Sequence, residues 1–189
     1  MTDAPQPPSS APSLASGQTP QPGLEPGPAK KMRVAAVGDL HVGEDARRPY
    51  RDLFERVSDE ADVLCLCGDL TNYGKTPEVE RLLEDLKLCK IPMVGVLGNH
   101  EHECGQPEVV TKMLNDAGVK MLTGEAYEID GVGFAGGKGF VGGFGRYMLS
   151  PFGEASIKAF VQEAVEDANH IENSIRMLRT ERSVVMLHY

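Results

Sequence analysis

Short apolar runs recur along the sequence, and each of the first three ends in a glycine followed by a polar side chain. These runs are rich in β-branched and other apolar residues and are too short for typical helices, so they predict buried β-strands. They cover residues 32–37, 61–67 and 91–97, and a fourth run covers residues 183–187. The ends of strands are therefore the places where polar side chains concentrate.

Between these runs, apolar residues recur at three- or four-residue spacing, which predicts amphipathic helices. The first helix is expected from Pro49 to about Glu60, with Leu53 on its buried face. The second opens at Thr76, expected as the cap, with Pro77 at the first helical position. A third covers residues 107–118. The alternation of strand and helix predicts a parallel α/β layer.

The pattern changes after the third helix. Residues 119–122, 127–129 and 131–135 are strand candidates with no helix between them, which predicts an antiparallel or mixed sheet segment. Residues 154–181 then carry apolar side chains at helical spacing and predict one long amphipathic helix of about 40 Å.

Residues 131–145 contain eight glycines. The spacing Gly131-x-Gly133-x-x-Gly136 matches a dinucleotide-binding fingerprint, but more glycine follows it instead of a helix, so a flexible loop is favoured. Such a loop would be a lid if it lay over a binding crevice. Lys138 and Arg146 are candidates to contact a phosphate there, although solvated loop cations are the favoured interpretation.

The first three strand ends carry candidate metal ligands. They read Gly38-Asp39-Leu40-His41, Gly68-Asp69-Leu70-Thr71-Asn72 and Gly98-Asn99-His100-Glu101, and the last run ends in His188. Ligands of an open parallel sheet collect outside the carboxyl ends of its strands, so these side chains are expected in one crevice. Gly-Asp and Gly-Asn are also ordinary turn dipeptides, but three of them in this order favour a metal site.

The ligand types restrict the chemistry. Aspartate, asparagine and histidine suit ions such as Mn, Fe or Zn better than a thiolate-seeking ion. Asp69 stands alone at its tip, where a carboxylate can bridge two ions. Paired ions about 3.5 to 4 Å apart activate a bound water and clamp the attacking and leaving oxygens of a phosphoryl centre. The pattern therefore predicts a phosphoesterase.

The composition describes the rest of the chain around this site. Residues 1–31 are rich in proline and serine and predict a disordered tail, which leaves residues 32–189 as one domain.

The chain has 19 basic and 28 acidic residues and a net charge of −9, which argues against nonspecific nucleic-acid binding. Its four cysteines are expected as reduced thiols. Without a signal-like start or a membrane-spanning apolar run, a cytoplasmic location is expected.

On these motifs the sequence resembles the calcineurin-like metallophosphoesterases. The three strand-end motifs look like the first three motifs of that family, and Leu187-His188-Tyr189 looks like the fourth. The resemblance implies a four-layer α/β/β/α sandwich with two divalent or trivalent ions at the strand tips. It implies that Asp39 and His41 hold the first ion, Asp69 bridges, and Asn99 and His188 hold the second. His100 would stay off the metals and act on the phosphate.

Two departures from the family pattern matter. Asn72 stands where protein-phosphatase members carry an aspartate that pairs with the catalytic histidine, so Gly-Asp-Leu-Thr looks more similar to phosphodiesterase members. The family's final Gly-His-x-His motif is absent from residues 1–189. We therefore expect a fragment, truncated before that motif, whose second sheet is incomplete at the C-terminus and whose stability and activity are reduced.

The expected function is hydrolysis of a small phosphate ester, preferably a diester, by attack of a metal-bound hydroxide. His100 would be catalytic, and Asn72, Lys138 and Arg146 would contact the substrate. The alternative is a catalytically impaired or non-catalytic family member that acts as a protein-binding module. The intact ligands at the first three tips favour the enzyme, and the absent last motif favours the module.

Overall fold

A parallel sheet with its connecting helices forms the first part of the fold. The computed structural model describes residues 31–140, 142–143 and 145–188. Its first sheet contains β1 (Val34–Val37), β2 (Val63–Cys67), β3 (Met93–Val96) and β4 (Val119–Met121), in that order and all parallel. The connecting helices are α1 (Arg51–Glu60), α2 (Thr76–Leu86) and α3 (Pro107–Asp116). The predicted parallel α/β layer is confirmed. The predicted tail, apart from Lys31, lies outside the described residues.

Strand β4 corrects one expectation. The sequence placed residues 119–122 in an antiparallel or mixed segment, but β4 pairs with β3 in parallel, with Met93 opposite Val119. The reason is the helix that precedes this strand. Helix α3 carries the chain back across the sheet between β3 and β4, and a crossover of this kind returns the next strand in parallel.

The second sheet is mixed, as predicted. It contains β5 (Ala126–Ile129), β6 (Val132–Gly137) and β7 (Arg182–Leu187), with β6 in the centre. Strands β5 and β6 form an antiparallel hairpin through Asp130 and Gly131, which both have positive φ angles of 47° and 77°. This pair of angles matches a tight hairpin turn. Strand β7 joins β6 in parallel after α4 (Ala155–Met177).

The glycine-rich segment is only partly a loop. Its first half is strand β6, which confirms the strand candidate at residues 131–135 and corrects the expectation of a flexible loop over residues 131–145. The glycines allow close approach within the sheet: a Cβ atom on Gly136 would lie 2.4 Å from the carbonyl oxygen of Met186, and one on Gly133 would lie 2.6 Å from the Leu178 side chain. Glycine in a strand interior often marks such an approach. The lid role of the remaining loop stays a prediction.

The core occupies both faces of the first sheet. On one face, alternate β2 residues such as Leu64 and Leu66 pack with apolar residues of the three connecting helices. On the other, Val63 and Cys65 pack with Phe134 and Met186 from the second sheet. Burial on both faces explains the continuously apolar β2 run. The four-layer arrangement and the incomplete second sheet stay predictions.

Three helix details differ from the sequence interpretation. Leu53 is exposed on α1, whose buried residues are Phe54 and Val57. Lys75, not Thr76, is the cap of α2, because the Glu78 carboxylate accepts the backbone N–H groups of Tyr73 and Lys75 at 2.8 and 3.2 Å.

Helix α4 ends at Met177 rather than near residue 181. The backbone of Leu178 is extended, and the N–H of Arg179 donates to the Glu128 carboxylate at 2.6 Å. This bond draws the chain towards β5 and stops the helix.

All four cysteines lie within the described residues, and none of them forms a disulfide there. Burial, together with the neighbouring Cys67, raises the pKa of the Cys65 thiol to about 12, so this side chain packs as an inert apolar group. None of the described helices has the length and hydropathy required to cross a membrane.

The close approach at Gly136 gives a test of the fold. We expect Gly136→Ala to reduce the free energy of unfolding by about 2 kcal/mol or more, because its methyl group collides with the β7 backbone. Gly142→Ala is the matched control, since a Cβ there meets its nearest atom at 3.8 Å. Chemical denaturation of both variants measures the difference, and equal stabilities would contradict the described β6–β7 packing.

Candidate metal centre

The tips of four strands meet at one cleft. Asp39, Asp69 and Asn99 follow β1, β2 and β3, which end side by side because they are parallel. His188 follows β7 and enters the same place from the second sheet. These four side chains line the cleft, and His41 and His100 lie at its side, close to Asp69. The sequence-predicted ligand set is therefore brought together.

The Asp69 carboxylate is the centre of this cluster. The residue is 4% exposed. Its Oδ1 atom accepts a hydrogen bond from the backbone N–H of His100 at 3.0 Å. Its Oδ2 atom lies 3.2 Å from Nε2 of His188, 3.7 Å from Nε2 of His100 and 3.8 Å from Nε2 of His41. One oxygen is thus fixed by the backbone, and the other faces three imidazoles.

Within the described part of the chain, possible ligand atoms fall into two groups that share Asp69. His41, Asp69 and His100 form one, and Asp39, Asp69 and His188 form the other, with the ligand atoms of each group within 4.8 Å of one another. Asp39 also lies near His41, its partner in the pairing expected from the sequence, with Oδ1 3.9 Å from Nε2 of His41. His100, which was expected to stay off the metals, lies beside His41 in the first group. The assignment of each side chain to one ion stays a prediction.

The donor set fits a metal ion. Nδ1 of His188 lies 2.8 Å from the carbonyl oxygen of Cys67, so in a neutral ring Nδ1–H donates there and the Nε2 lone pair points at the Asp69 carboxylate. A lone pair facing a carboxylate oxygen is repulsive unless a proton or a cation lies between them. Ligand atoms about 2.0–2.2 Å from one ion lie about 3–4 Å apart, which matches these distances.

His100 is oriented in the same way. Its Nδ1 lies 2.5 Å from the carbonyl oxygen of Asn72, and its ring meets that of His41 edge to face at 4.5 Å. The bond to Asn72 raises the pKa of His100; partial burial opposes this shift, and the Asp69 carboxylate adds to it. The backbone of Asn72, and not its amide side chain, therefore supports this histidine.

The backbone is strained where the ligands enter. Asp39, His41 and Asp69 have φ angles of 54°, 46° and 49°, in the left-handed region that non-glycine residues rarely adopt. Backbone hydrogen bonds between the tips hold this conformation. The N–H of Asp39 donates to the backbone carbonyl oxygen of Gly68, and the N–H of His41 donates to the backbone carbonyl oxygen of Asp69, both at 3.0 Å. Strain of this kind is typical of functional sites.

The glycine before each ligand has a steric role. A Cβ atom on Gly98 would lie 2.0 Å from Oδ1 of Asp69, and one on Gly68 would lie 2.5 Å from the His188 ring. At Gly38 it would lie 3.0 Å from the Cys67 carbonyl oxygen. Each glycine thus makes room for a group from a neighbouring strand. Sequence reasoning treated these residues as strand ends and missed this packing.

Glu101 was also missed. It is fully buried. Its Oε1 atom accepts both the backbone N–H and the hydroxyl of Thr71 at 2.8 Å, and its Oε2 atom accepts the N–H of Gly98 at 2.8 Å. This carboxylate therefore joins the second tip to the third. In the sequence Glu101 is the last residue of Gly-Asn-His-Glu, but its hydrogen-bond partners lie up to 30 residues away. The motif alone therefore does not reveal them.

The candidate substrate residues have different outcomes. Lys138 lies near the centre: its carbonyl oxygen accepts the N–H of His188 at 2.8 Å, and its side chain lines a small cleft with Asn99 and His188. Arg146 is exposed, bonds the Tyr147 hydroxyl at 2.7 Å, and is absent from the described lining of the cleft. Its expected contact with the substrate stays a prediction without support in this geometry.

Comparison with known proteins decides the family. The family model described as calcineurin-like phosphoesterase matches residues 32–179. The chain belongs to this family. It is also 33% identical over 82 residues to a "Probable cyclic nucleotide phosphodiesterase" of Moraxella catarrhalis (strain BBH18). That match covers 39% of this chain and 30% of the relative, so the chain spans less than a third of the relative's length.

The Glu101 link between tips gives a test of this phosphoesterase site. We expect Glu101→Gln to weaken metal binding roughly 10–100-fold, as loss of an outer-shell partner typically does, and to lower the free energy of unfolding by about 1.5–3 kcal/mol. Glu80→Gln removes an exposed carboxylate and serves as the control. Metal titration and denaturation of both variants provide the measurement, and indistinguishable variants would contradict the role.

Proposed function

We propose that this chain is the metal-binding part of a phosphoesterase that uses two ions to hydrolyse a phosphate diester. The observation that carries the proposal is the position of Asp69, whose carboxylate belongs to both groups of ligand atoms. Membership of the calcineurin-like phosphoesterases supports a hydrolase that acts on phosphate esters. The phosphodiesterase name of the bacterial relative supports a diester.

The residues that would hold the ions are Asp39, His41, Asp69, Asn99 and His188. Their nitrogen and oxygen atoms suit ions of the Mn, Fe or Zn class. When bound, two such ions would supply an activated water and charge neutralisation at the phosphoryl oxygens. The chain itself supplies the fixed orientation, through the backbone bonds to His188 and Asp69.

His100 has the geometry of a group that acts on the phosphate. Its ring is fixed by the Asn72 carbonyl at Nδ1, and its Nε2 atom faces the cleft 3.7 Å from Asp69. A proton held at Nε2 would stabilise charge on a phosphate oxygen or pass to the leaving oxygen. The substrate is a small ester in this proposal, and the predicted lack of nucleic-acid binding and cytoplasmic location stay predictions.

The position of Asp69 in both ligand groups predicts the effect of removing its charge. Asp69→Asn is expected to abolish binding of two ions and to reduce hydrolysis of bis(p-nitrophenyl) phosphate by more than the roughly 10–100-fold typical of outer-shell losses. Elemental analysis and the chromogenic assay measure both effects. Asp52→Asn, on the exposed part of α1, is the control. Metal-free wild-type protein that captures a protein partner would instead support a non-catalytic binding module.

The two histidines should separate binding from turnover. His188→Ala is expected to lower the metal content, since His188 is a proposed ligand. His100→Ala is expected to keep the metal content and to lose turnover by about 10²–10⁴-fold, the range of general acid–base catalysis. Because Nε2 of His100 lies close to Asp69, loss of metal from His100→Ala would show that this histidine is a ligand and overturn its assigned role.

A further inference from the structure

A second cavity adjoins the metal cleft. It lies between α3 and α4, over Gly136 and Gly137, and has a volume of about 600 Å³. We call it the side cavity. His102, Lys138 and Glu163 line both the side cavity and the small cleft that reaches Asn99 and His188. These three residues, which we call the throat, lie between the side cavity and that cleft, so the side cavity adjoins the metal centre.

Asp167 on α4 marks the side cavity as a binding site. Its Oδ2 atom is buried and has no hydrogen-bond partner among the described residues. An unpaired buried carboxylate oxygen is costly, and buried polar atoms normally have partners. Since Asp167 lines the side cavity, a small rotation of its carboxylate would turn this oxygen towards an occupant that carries a hydrogen-bond donor.

The lining defines the chemistry of this occupant. Leu97, Leu122 and Pro107 provide apolar walls. The described carboxylates of the lining outnumber its lysines; they are Glu108, Glu163, Glu166 and Asp167 against Lys112 and Lys138. This charge disfavours a second anionic group. A neutral group with apolar faces and donors fits best, and a volume of about 600 Å³ falls within the roughly 300–1,000 Å³ typical of pockets for drug-sized ligands.

The side cavity is preformed. The hydroxyl of Ser174 lies 2.7 Å from the carbonyl oxygen of Gly124, which attaches α4 to the chain before β5. The ring of Phe160 meets that of Phe140 edge to face at 4.9 Å. Lys138 lies over the same Phe140 ring, with Nζ 4.8 Å from its centre. The throat is thus tied to α4 at one side and, through the Lys138 backbone, to His188 at the other.

We propose that the side cavity binds the organic group of the phosphate ester, a neutral, nucleoside-sized group that donates a hydrogen bond to Asp167. The proposal rests on the proposed function, because it places the phosphate at the metal centre. Lys138 lies in the throat, between the phosphate and its organic group. Asp167 then determines specificity without taking part in the bond cleavage.

Two esters with the same leaving group test this specificity. Bis(p-nitrophenyl) phosphate offers the side cavity an aryl group without donors, whereas thymidine 5′-(p-nitrophenyl phosphate) offers a nucleoside. We expect the wild type to prefer the nucleoside ester in kcat/KM and Asp167→Ala to reduce this preference about tenfold or more, the loss typical of one hydrogen bond to a charged acceptor. Glu172→Ala, which removes an exposed carboxylate paired with Arg176 on the same helix, should keep it.

Binding of thymidine alone separates this inference from the proposed function. Calorimetry should show thymidine binding to the wild type and about tenfold weaker binding to Asp167→Ala, whether or not either ester is hydrolysed. A wild type that binds thymidine through Asp167 but hydrolyses neither ester supports the side cavity and contradicts the phosphoesterase.

The opposite result overturns the side cavity. Hydrolysis of both esters with an unchanged preference in Asp167→Ala, or thymidine binding that is absent or unaffected, contradicts the inference. Removal of an unpaired buried carboxylate should also raise Tm. A lower Tm with equal losses on both esters would show a structural role for Asp167 instead.

Discussion

The Asp69 carboxylate, buried where three imidazoles and a backbone amide converge, constrains the rest of this structure. A carboxylate at that depth is expensive unless it is paired, and its neighbours are arranged to supply the pairing. The His100 amide satisfies one oxygen, and a cation can satisfy the other together with the histidines. The left-handed backbone of Asp69 turns its side chain into the cleft. The absent side chains of Gly68 and Gly98 leave space for it.

This constraint extends beyond the ligands. The second and third tips hold their spacing through the buried Glu101 carboxylate, which bonds Thr71 and Gly98. The end of β7 in the second sheet is held beside the end of β2 because the His188 ring bonds the Cys67 carbonyl oxygen. Glycines within β6 let β7 approach closely enough for that contact. The fold therefore brings side chains from four strand ends into one cleft around this carboxylate.

The sequence predicts that these side chains lie together because their positions follow from a local rule. A parallel strand ends in the same edge as its neighbours, so polar residues after three apolar runs must meet. Residues whose roles depend on distant partners were not predictable in this way. Glu101, the steric role of Gly98 and the backbone support of His100 all involve contacts across strand ends. The exposed position of Arg146 likewise depends on how the chain turns between elements, which periodicity does not encode. The parallel pairing of β4, by contrast, follows from the predicted third helix that precedes it.

Charge links the metal cleft to the side cavity. The cleft contains the carboxylates of Asp39 and Asp69, so without cations it repels a phosphate, and two divalent ions would reverse its sign. The side cavity keeps its excess of carboxylates in either state, because those residues lie outside the ligand groups. Under the proposed function, an ester with one anionic end and one neutral end would therefore be oriented by electrostatics: its phosphate would be drawn to the loaded cleft, and its organic group would be tolerated beyond the throat. A second phosphate on the same molecule would be repelled there, so the proposed function would favour simple diesters over polyphosphates.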